Sequence, residues 1–474
     1  MLSMNSSVLI IKSPPPSKEI NIFSNNMTTK KIIYKYNFYV GHPSLTLLPN
    51  KEIIKATTEL LTPKERPFDK DPDNLHPLNY GSDLGSKWVR SNITDLINSF
   101  YHNTSLTNPE FINLTNGASY GILNILELTA CPIYTKQVFI ISPTYFLIND
   151  IFVDAGYSGK LCSIKETEGG SSIDFKKLLN KLEILESQGV DNNNNNNNNA
   201  NHRGTKIASD QQKHIYKYIM YLIPTFSNPS GSTYSTETRI KLIEIARKYD
   251  MLIISDDVYD MLNYDTDATK IPPRIVHLDR LTIQNHQKNS TFGNSISNCT
   301  FSKLIAPGLR CGYQETATSL LATCLSKGGA NHSGGSPSQL NANIIGTLIT
   351  NGDFQNILQN LKRTYSERCD VMYKSILKYL PPGTLYNKQL GGYFSWCVLP
   401  DEYNCKEICE ICKYEFGVLL ANGNDFEVYG DENKEGWGKN SVRLSCSYLE
   451  SDEIENGIRL WGEACKMYIN SKHK

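Results

Sequence analysis

Short apolar runs rich in isoleucine, valine and tyrosine alternate along this chain with segments of helical period. Strands are predicted at Gln137–Ser142 and Ile215–Ile223, because both runs are short and almost continuously apolar. Residues Ser235–Tyr249 carry apolar side chains at helical spacing and lead directly into a third apolar run, Met251–Ser255. This strand, helix, strand order predicts an α/β fold built on a mostly parallel sheet covered by helices.

Charge and composition limit the partners of the chain. Its 48 lysines and arginines balance 48 aspartates and glutamates, so it has no net charge with which to attract nucleic acid or a membrane surface, and we expect neither as a partner. No apolar run approaches the roughly 20 residues that cross a bilayer. The 474 residues suffice for two or three domains, and the 12 cysteines are too sparse for a disulfide scaffold. These features predict a cytoplasmic protein with free thiols.

Three polar segments interrupt the pattern. Residues 1–34 are polar and contain three consecutive prolines, so we predict a flexible N-terminal tail. Eight consecutive asparagines lie within residues 187–214, which are predicted to form a disordered surface insert. The polar stretch Asp265–Asn298 predicts a second loop insertion.

Residues capable of chemistry follow the predicted strands, at the edge of a parallel sheet where ligands bind. Taken singly, each has an ordinary structural explanation, such as a glycine turn, a packing tyrosine, a helix-capping acid or a solvated lysine. Together they form an ordered series along the chain, which consists of Thr115–Ser119, Pro143–Tyr145, Asn228–Gly231, Asp256–Tyr259 and Thr300–Lys303, with Arg310 seven residues further on. Five such motifs in one order are not expected by chance.

This order of motifs resembles the fold-type I pyridoxal-phosphate enzymes, and within them the class I and II aminotransferases. The similarity runs from about Tyr36 to the C-terminus, and the sequence around Lys303 is similar to the group that acts on 2-aminoadipate, aromatic or branched-chain amino acids. The resemblance implies a large cofactor-binding domain at 101–335. It also implies a smaller α+β domain made from residues 35–100 and from 336–474. The latter range includes Leu361–Asp370, which resembles the interdomain helix.

The resemblance further implies the reaction. Pyridoxal 5′-phosphate would be the cofactor, an L-amino acid and a 2-oxo acid the substrates, and a homodimer the assembly. Amino-group transfer would follow a ping-pong cycle through pyridoxamine phosphate.

Residues for cofactor binding are implied by the same resemblance. Lys303 corresponds to the lysine that forms an imine with the cofactor aldehyde and then acts as a general base. Its pKa would have to be lowered, which Arg310 and an enclosed pocket would both favour. Asp256 corresponds to the partner of the ring nitrogen, with Asp257 as a bystander. The other implied contacts are Asn228 and Tyr259 on the phenolic oxygen, Tyr145 on the ring face, and Gly117, Ala118, Ser119, Thr300 and Arg310 around the phosphate.

Substrate-binding residues are implied nearer the two ends of the chain. Arg443 matches the arginine that binds the substrate carboxylate, and Asn228 would contribute to substrate as well as cofactor binding. Gly41 matches a glycine whose backbone approaches the substrate, with His42 as a rim residue. Tyr80 matches a residue that reaches the cofactor of the neighbouring subunit.

Other interpretations of these residues stay open. The same scaffold supports elimination or decarboxylation, since orientation selects the bond at Cα that breaks. A less favoured hypothesis is a regulator that senses the cofactor without catalysis.

Two further motifs have competing explanations. Cys405, Cys409 and Cys412 have the spacing of an iron–sulfur motif, but also the spacing of one helix face, and we predict a helix and no metal. The glycine-rich segment Gly328–Pro337 lacks the ending of a nucleotide-binding loop and predicts a loop that closes over the site.

Overall fold

The fold is described by a computed structural model for residues 34–62, 76–103, 105–190, 213–265, 271–283, 292–429 and 436–472. Its strands are β1 (Tyr36–Asn37), β2 (Ile112–Thr115), β3 (Gln137–Ser142), β4 (Leu161–Lys165), β5 (Tyr218–Leu222), β6 (Met251–Asp256), β7 (Ser295–Thr300), β8 (Gly312–Thr316), β9 (Leu385–Tyr386), β10 (Phe394–Val398), β11 (Val418–Leu419), β12 (Ala421–Asn422) and β13 (Ser441–Ser445). Its helices are α1 (Asn50–Leu61), α2 (Lys87–Phe100), α3 (Ala118–Thr129), α4 (Leu147–Phe152), α5 (Phe175–Val190), α6 (Thr236–Tyr249), α7 (Ile275–Ile283), α8 (Ser319–Ser326), α9 (Gln339–Thr350), α10 (Asp353–Tyr379), α11 (Cys405–Glu415) and α12 (Ser451–Lys472).

A seven-stranded sheet lies at the centre, in the order β2–β8–β7–β6–β5–β3–β4. Its strands are parallel except for β8, which runs antiparallel to both of its neighbours. Every residue of β3, β5 and β6 is buried, which explains why these strands appear in the sequence as continuous apolar runs. The predicted mostly parallel α/β fold is confirmed.

Both faces of the central sheet are covered. Along β3, Val138 and Ile140 contribute to one apolar core, whereas Phe139 and Ile141 contribute to another. Because successive side chains of a strand point to opposite faces, two separate cores indicate helices packed on each side. This arrangement leaves the carboxyl edge of the parallel strands as the place where loops meet.

A second sheet is formed by residues from the last quarter of the chain. It is antiparallel, in the order β12–β13–β10–β9, and it places Arg443 of β13 opposite Trp396 of β10. The short β1 pairs in parallel with β11 and so joins the first described residues to this region. The long helix α10 contains the segment predicted to form the interdomain helix, and it packs on α12. The proposed domain boundaries at residues 100 and 335 stay predictions.

Two predictions for polar segments are wrong in part. Helix α7 and the start of strand β7 lie within Asp265–Asn298, where a loop insertion was predicted. The composition conceals this helix because buried polar residues form part of its packed face, among them Asp279, which pairs with Arg247. Helix α5 continues to Val190, beyond the predicted start of the insert at residue 187.

The rest of the predicted insert and tail is only partly described. Within the insert, the His214 Nε2 atom lies 2.7 Å from Asp250 Oδ1, while residues 191–212 lie outside the described residues. Residues 1–33 of the predicted tail also lie outside them.

Helix α11 confirms the helical interpretation of the cysteine motif. Cys405, Cys409 and Cys412 are all buried on it. Within the described ranges, no cluster of histidine, cysteine or acidic side chains has an arrangement suited to a metal ion. No helix of the described part of the chain is long and apolar enough to span a membrane.

Candidate active site

A cavity of about 410 Å³ lies among the loops that follow the central strands. Eleven of the predicted site residues line it, namely Gly41, Ala118, Ser119, Tyr145, Asn228, Asp256, Tyr259, Thr300, Lys303, Arg310 and Arg443. Asp256 and Thr300 are the last residues of β6 and β7. They lie at the same edge of the sheet because these two strands are parallel neighbours. The structure therefore brings together motifs that are far apart in sequence.

One wall of the cavity is the N-terminus of helix α3. Gly117 precedes the helix with φ of +96°, and no side chain caps the first turn. The positive φ favours glycine, and a Cβ at this position would also lie 2.8 Å from Arg310 Nη2, so a larger residue would strain the backbone and displace the guanidinium. The uncapped N–H groups of the first turn and the nearby guanidinium form a site suited to an anion.

Hydroxyl groups complete this anion site. Thr300 Oγ1 donates to Ser302 Oγ at 2.9 Å, and Arg310 Nη1 approaches the same Ser302 oxygen at 3.4 Å. Ser302 lines the cavity but was not among the predicted site residues, although its place directly before Lys303 could have suggested it. Serine, threonine and arginine beside a helix N-terminus are the groups that bind phosphate in proteins.

The amine of Lys303 opens into the same cavity. Its Nζ donates to Gly41 O at 2.8 Å, and its backbone carbonyl accepts a hydrogen bond from Tyr393 OH at 2.8 Å. Burial lowers the pKa of Lys303 to about 8, with Arg443 as the next cause and Arg310 as a smaller one. The predicted direction of the shift is thus confirmed, and Arg443 contributes more to it than Arg310 does.

Asp256 is the one carboxylate among the lining residues. Tyr221 OH donates to its Oδ2 at 2.9 Å, and Asn298 Nδ2 donates to its Oδ1 at 2.8 Å. Burial raises the pKa of Asp256 to about 6, although both hydrogen bonds favour the charged form. A cationic partner in the cavity would favour the carboxylate further. Asp257 does not line the cavity and instead accepts from Ser255 and Ser297.

Arg443 is 2% exposed and points into the cavity from β13. Nη1 donates to Asn228 Oδ1 at 3.1 Å and Nη2 donates to Tyr39 O at 2.6 Å, while Nε has no hydrogen-bond partner among the described residues. The guanidinium carbon lies 4.1 Å from the centre of the Phe394 ring. Burial lowers the pKa of Arg443 to about 10, so the group remains charged at neutral pH. The guanidinium is therefore held in place, and its Nε–H group can still donate a hydrogen bond to a ligand.

Two tyrosines contribute aromatic faces to the cavity. Burial raises the pKa of Tyr145 to about 12 and also raises the pKa of Tyr259, so both phenols stay protonated and able to donate. Asn228 is buried in the same lining and contacts both Tyr259 and Arg443.

The lining suits a ligand with more than one negative charge. Lys303, Arg310 and Arg443 carry positive charge, against the single carboxylate of Asp256. The phosphate and ring of pyridoxal phosphate match the anion site and the buried carboxylate, and an amino-acid carboxylate matches the free donor capacity of Arg443. The residues present therefore fit this cofactor together with an amino-acid substrate.

Tyr80 and the Gly328–Pro337 loop are not brought to the cavity of this chain, and Gly117 is outside its lining although it precedes the helix that forms one wall. Tyr80 is 76% exposed and does not line it, so its contact with a neighbouring subunit stays a prediction. The Gly328–Pro337 loop was predicted to close over the site, and this is wrong within the single chain. The loop packs beside Tyr80, and Asn116 Nδ2 donates to Gly335 O at 2.8 Å, so it supports the residue before Gly117 instead.

Known proteins resemble this chain in sequence. The profile of the family described as aminotransferase class I and II matches residues 74–459. An uncharacterized protein of Saccharomyces cerevisiae, YER152C, is 49% identical over 442 residues, which cover 91% of this chain and 97% of that protein. Aromatic-amino-acid aminotransferase 1 of Thermococcus litoralis is 28% identical over 249 residues, which cover 52% of this chain and 54% of that protein. The match therefore spans about half the length of the archaeal enzyme.

A solved structure also resembles the fold. The crystal structure of Pyrococcus horikoshii kynurenine aminotransferase in complex with PMP has a TM-score of 0.69 to this chain, at 23% identity, covering 93% of this chain and 92% of that one. At this identity the similarity concerns the fold, and it confirms the predicted fold type.

Proposed function

The chain belongs to the class I and II aminotransferase family, and on that basis we propose that it transfers the amino group of an L-amino acid to a 2-oxo acid with Lys303 as the catalytic base. The family match confirms the resemblance drawn from the five motifs, and with it pyridoxal 5′-phosphate as the cofactor. One observation carries the assignment of residues, which is that Lys303, Asp256 and Arg443 line one cavity beside the N-terminus of α3.

Cofactor binding follows from the charges of the cavity. Pyridoxal 5′-phosphate, when bound, supplies a carbonyl carbon that links to amino groups and a protonated ring that stabilises negative charge at the substrate Cα. Arg310, Ser302 and the uncapped N–H groups of α3 would bind the phosphate. Asp256, held by Tyr221 and Asn298, would keep the ring nitrogen protonated.

Proton transfer is assigned to Lys303. With a pKa of about 8, a substantial fraction of its amine is neutral slightly above neutral pH, so Nζ is able to take the proton from the substrate Cα. Its hydrogen bond to Gly41 O keeps the amine beside the segment that lines the substrate side of the cavity. Arg443 would bind the substrate carboxylate through its fork of N–H groups and so fix the orientation of Cα.

Borohydride reduction tests the assignment of Lys303. Reduction of the purified enzyme followed by peptide mapping is expected to label Lys303, and Lys303→Ala is expected to lack the visible absorbance band. Lys362→Ala is a matched control, because burial also lowers the pKa of Lys362 but this lysine does not line the cavity. A label on another lysine, or a reducible link in Lys303→Ala, would contradict the assignment.

Absorbance with added substrates separates transfer from the alternatives. For a transferase, an amino acid bleaches the band and 2-oxoglutarate restores it. For a lyase or decarboxylase, the band returns without an acceptor while ammonia or carbon dioxide accumulates. For a non-catalytic cofactor sensor, the band persists with every amino acid.

The lining also favours a class of amino donor. We propose amino acids with aromatic or branched apolar side chains, since Tyr39, Phe146, Leu147 and Phe394 line the cavity. The Thermococcus litoralis relative carries the name of an aromatic-amino-acid aminotransferase, which supports this choice. A panel of amino donors is expected to rank phenylalanine and leucine above aspartate. Preference for 2-aminoadipate would instead require a further cation at the site.

We further propose a homodimer in the cytoplasm. Tyr80 and Leu78 are exposed beside the 328–337 loop, where a second copy would bury them. Light scattering tests the mass in solution, and mixing Lys303→Ala with Tyr80→Ala protein tests the shared site. If Tyr80 serves the partner, mixed dimers contain one intact site and regain activity, whereas no recovery on subunit exchange opposes a shared site. A fluorescent fusion tests the location.

A further inference from the structure

Glu166 follows strand β4 and connects two loops that carry site residues. Its backbone N–H donates to Ser142 O at 3.0 Å, at the end of β3. Its carboxylate accepts hydrogen bonds from Ser230 Oγ at 3.1 Å, Ser232 Oγ at 3.0 Å and Tyr234 OH at 2.8 Å. These three hydroxyls belong to residues 227–234, here called the asparagine loop because it contains Asn228. One side chain therefore fixes three positions of a single loop.

The asparagine loop joins the central sheet to the substrate side of the cavity. It folds back on itself, because Ser227 N donates to Ser232 O at 2.9 Å and Gly231 N donates to Ser227 O at 2.7 Å. At its tip, Ser232 N donates to Ser230 Oγ at 3.3 Å. A Cβ at Gly231 would lie 3.0 Å from Phe394 O, so the tip of the loop packs closely on the strand opposite. Asn228, near its start, accepts from Arg443. A shift of the loop would move the partner of the carboxylate-binding guanidinium.

Stability alone does not explain a carboxylate at this position. Within the described ranges, Glu166 has no ion-pair partner, and burial raises its pKa to about 7 in spite of the three hydroxyl donors. Holding an unpaired carboxylate away from water costs free energy, and apolar side chains of similar volume would avoid that cost. A role at the site would account for this cost, since the three hydrogen bonds together fix the conformation of the asparagine loop.

We propose that Glu166 is a positioning residue, which fixes the asparagine loop so that Asn228 holds Arg443 in its substrate-binding orientation. The inference rests on the proposed function of Arg443, and it assigns a role to a residue that does not line the cavity. Glu166 acts through hydrogen bonds in this role, not through charge. A neutral side chain with the same shape and acceptor oxygen is therefore expected to replace it.

Three variants test the role through substrate affinity. Glu166→Ala removes all three acceptor bonds and is expected to raise KM for the amino donor about tenfold or more, with a smaller change in kcat. Glu166→Gln is expected to stay within threefold of the wild type, because its amide oxygen accepts from two hydroxyls and its NH₂ donates to the third. Glu168→Ala is the matched control, since Glu168 lies two residues further along the same turn and is exposed.

A double-mutant cycle with Asn228→Ala separates positioning from general loss of structure. If Glu166 acts through Asn228, then Glu166→Ala changes KM less than twofold in the Asn228→Ala background. An equal change in both backgrounds would overturn the proposal. Cofactor affinity, measured by quenching of protein fluorescence, is expected to show the same dependence on Asn228.

A milder variant keeps the test valid if Glu166→Ala folds poorly. Ser232→Ala removes one of the three hydroxyls and is expected to raise KM about threefold, with unfolding of the cofactor-free protein unchanged. If Glu166→Ala and Ser232→Ala both have the KM of the wild type while borohydride still labels Lys303, the positioning role of Glu166 is refuted and the proposed function stands. Failure to label Lys303 would instead refute the proposed function.

Discussion

Replacing Lys303 by methionine is expected to stabilise the cofactor-free enzyme at neutral pH while it abolishes the reaction. Methionine keeps the length and most of the volume of the side chain but has no charge to desolvate. Lys303 lies close to Arg443 and Arg310, and burial is the largest cause of its lowered pKa. The wild-type protein therefore holds a partly buried ammonium group at the expense of its stability.

The size of the effect follows from the pKa. A fall from the ordinary value of 10.5 to about 8 opposes folding by about 3 kcal/mol, an upper limit because the side chain is only half-buried. The hydrogen bond from Nζ to Gly41 O, which methionine loses, offsets about 1.5 kcal/mol. The net gain in unfolding free energy at pH 7 is then about 1–2 kcal/mol.

The gain has a characteristic pH dependence. Below pH 8, Lys303 is protonated in both the folded and the unfolded chain, and the whole penalty is present. As the pH rises from about 8 towards 10.5, the folded protein loses the proton first, so the wild type becomes relatively more stable and the difference narrows. Urea unfolding of cofactor-free proteins at several pH values measures this difference.

A surface variant serves as the control. Lys51→Met removes an exposed charge on α1 and is expected to show no such narrowing. If Lys303→Met were no more stable than the wild type at pH 7, or if the difference were the same at pH 7 and pH 10, the low pKa assigned to Lys303 would be refuted. Its role as a neutral base near pH 8 would then lose its physical basis.

Three further substitutions have defined outcomes. Arg443→Lys keeps a positive charge but loses the planar fork, so we expect kcat/KM for the amino acid to fall roughly ten- to a hundredfold, as for one or two charge-assisted hydrogen bonds; a fall of less than threefold in steady-state assays contradicts this. Gly117→Ala places a Cβ 2.8 Å from Arg310 Nη2 at a φ of +96°, so the dissociation constant of the cofactor measured by equilibrium dialysis should rise roughly 5- to 150-fold, which corresponds to about 1–3 kcal/mol; an unchanged constant contradicts this. Asp256→Asn is expected to slow the half-reaction with amino acid roughly 10²–10³-fold in stopped-flow absorbance while borohydride still labels Lys303, and an unchanged rate would remove Asp256 from its proposed role.

The elements with a strong repeating pattern could be predicted from the sequence. Strand β3 has the predicted limits, and helix α6 begins one residue after its predicted start. Most of the predicted site residues line one cavity, and those that follow the central strands do so because parallel strands end at the same edge of the sheet. Gly41 and Arg443 reach the cavity from outside the central sheet. The fold therefore brings together residues whose proximity no single motif indicates.

Residues whose role depends on strand register or loop packing could not be predicted. Tyr221 contacts Asp256 because β5 and β6 pair in one particular register, which the sequence of either strand leaves open. Glu166 belongs to no recognisable motif and acts through neighbours that lie far away in the chain. Helix α7 was missed because its buried face satisfies polar side chains with ion pairs, which hydropathy does not detect.

The hydrogen bond from Arg443 to Tyr39 O joins residues 404 positions apart, and the pairing of β1 with β11 spans a similar interval. During translation at about 5–20 residues per second, the Tyr39 segment would leave the ribosome roughly 20–80 s before Arg443 is made. Throughout that interval the substrate side of the cavity is incomplete, and Tyr39 lacks its contact with Arg443. Competence to bind the amino-acid carboxylate is thus acquired only at the last stage of biosynthesis, after every residue assigned to the vitamin has already been made.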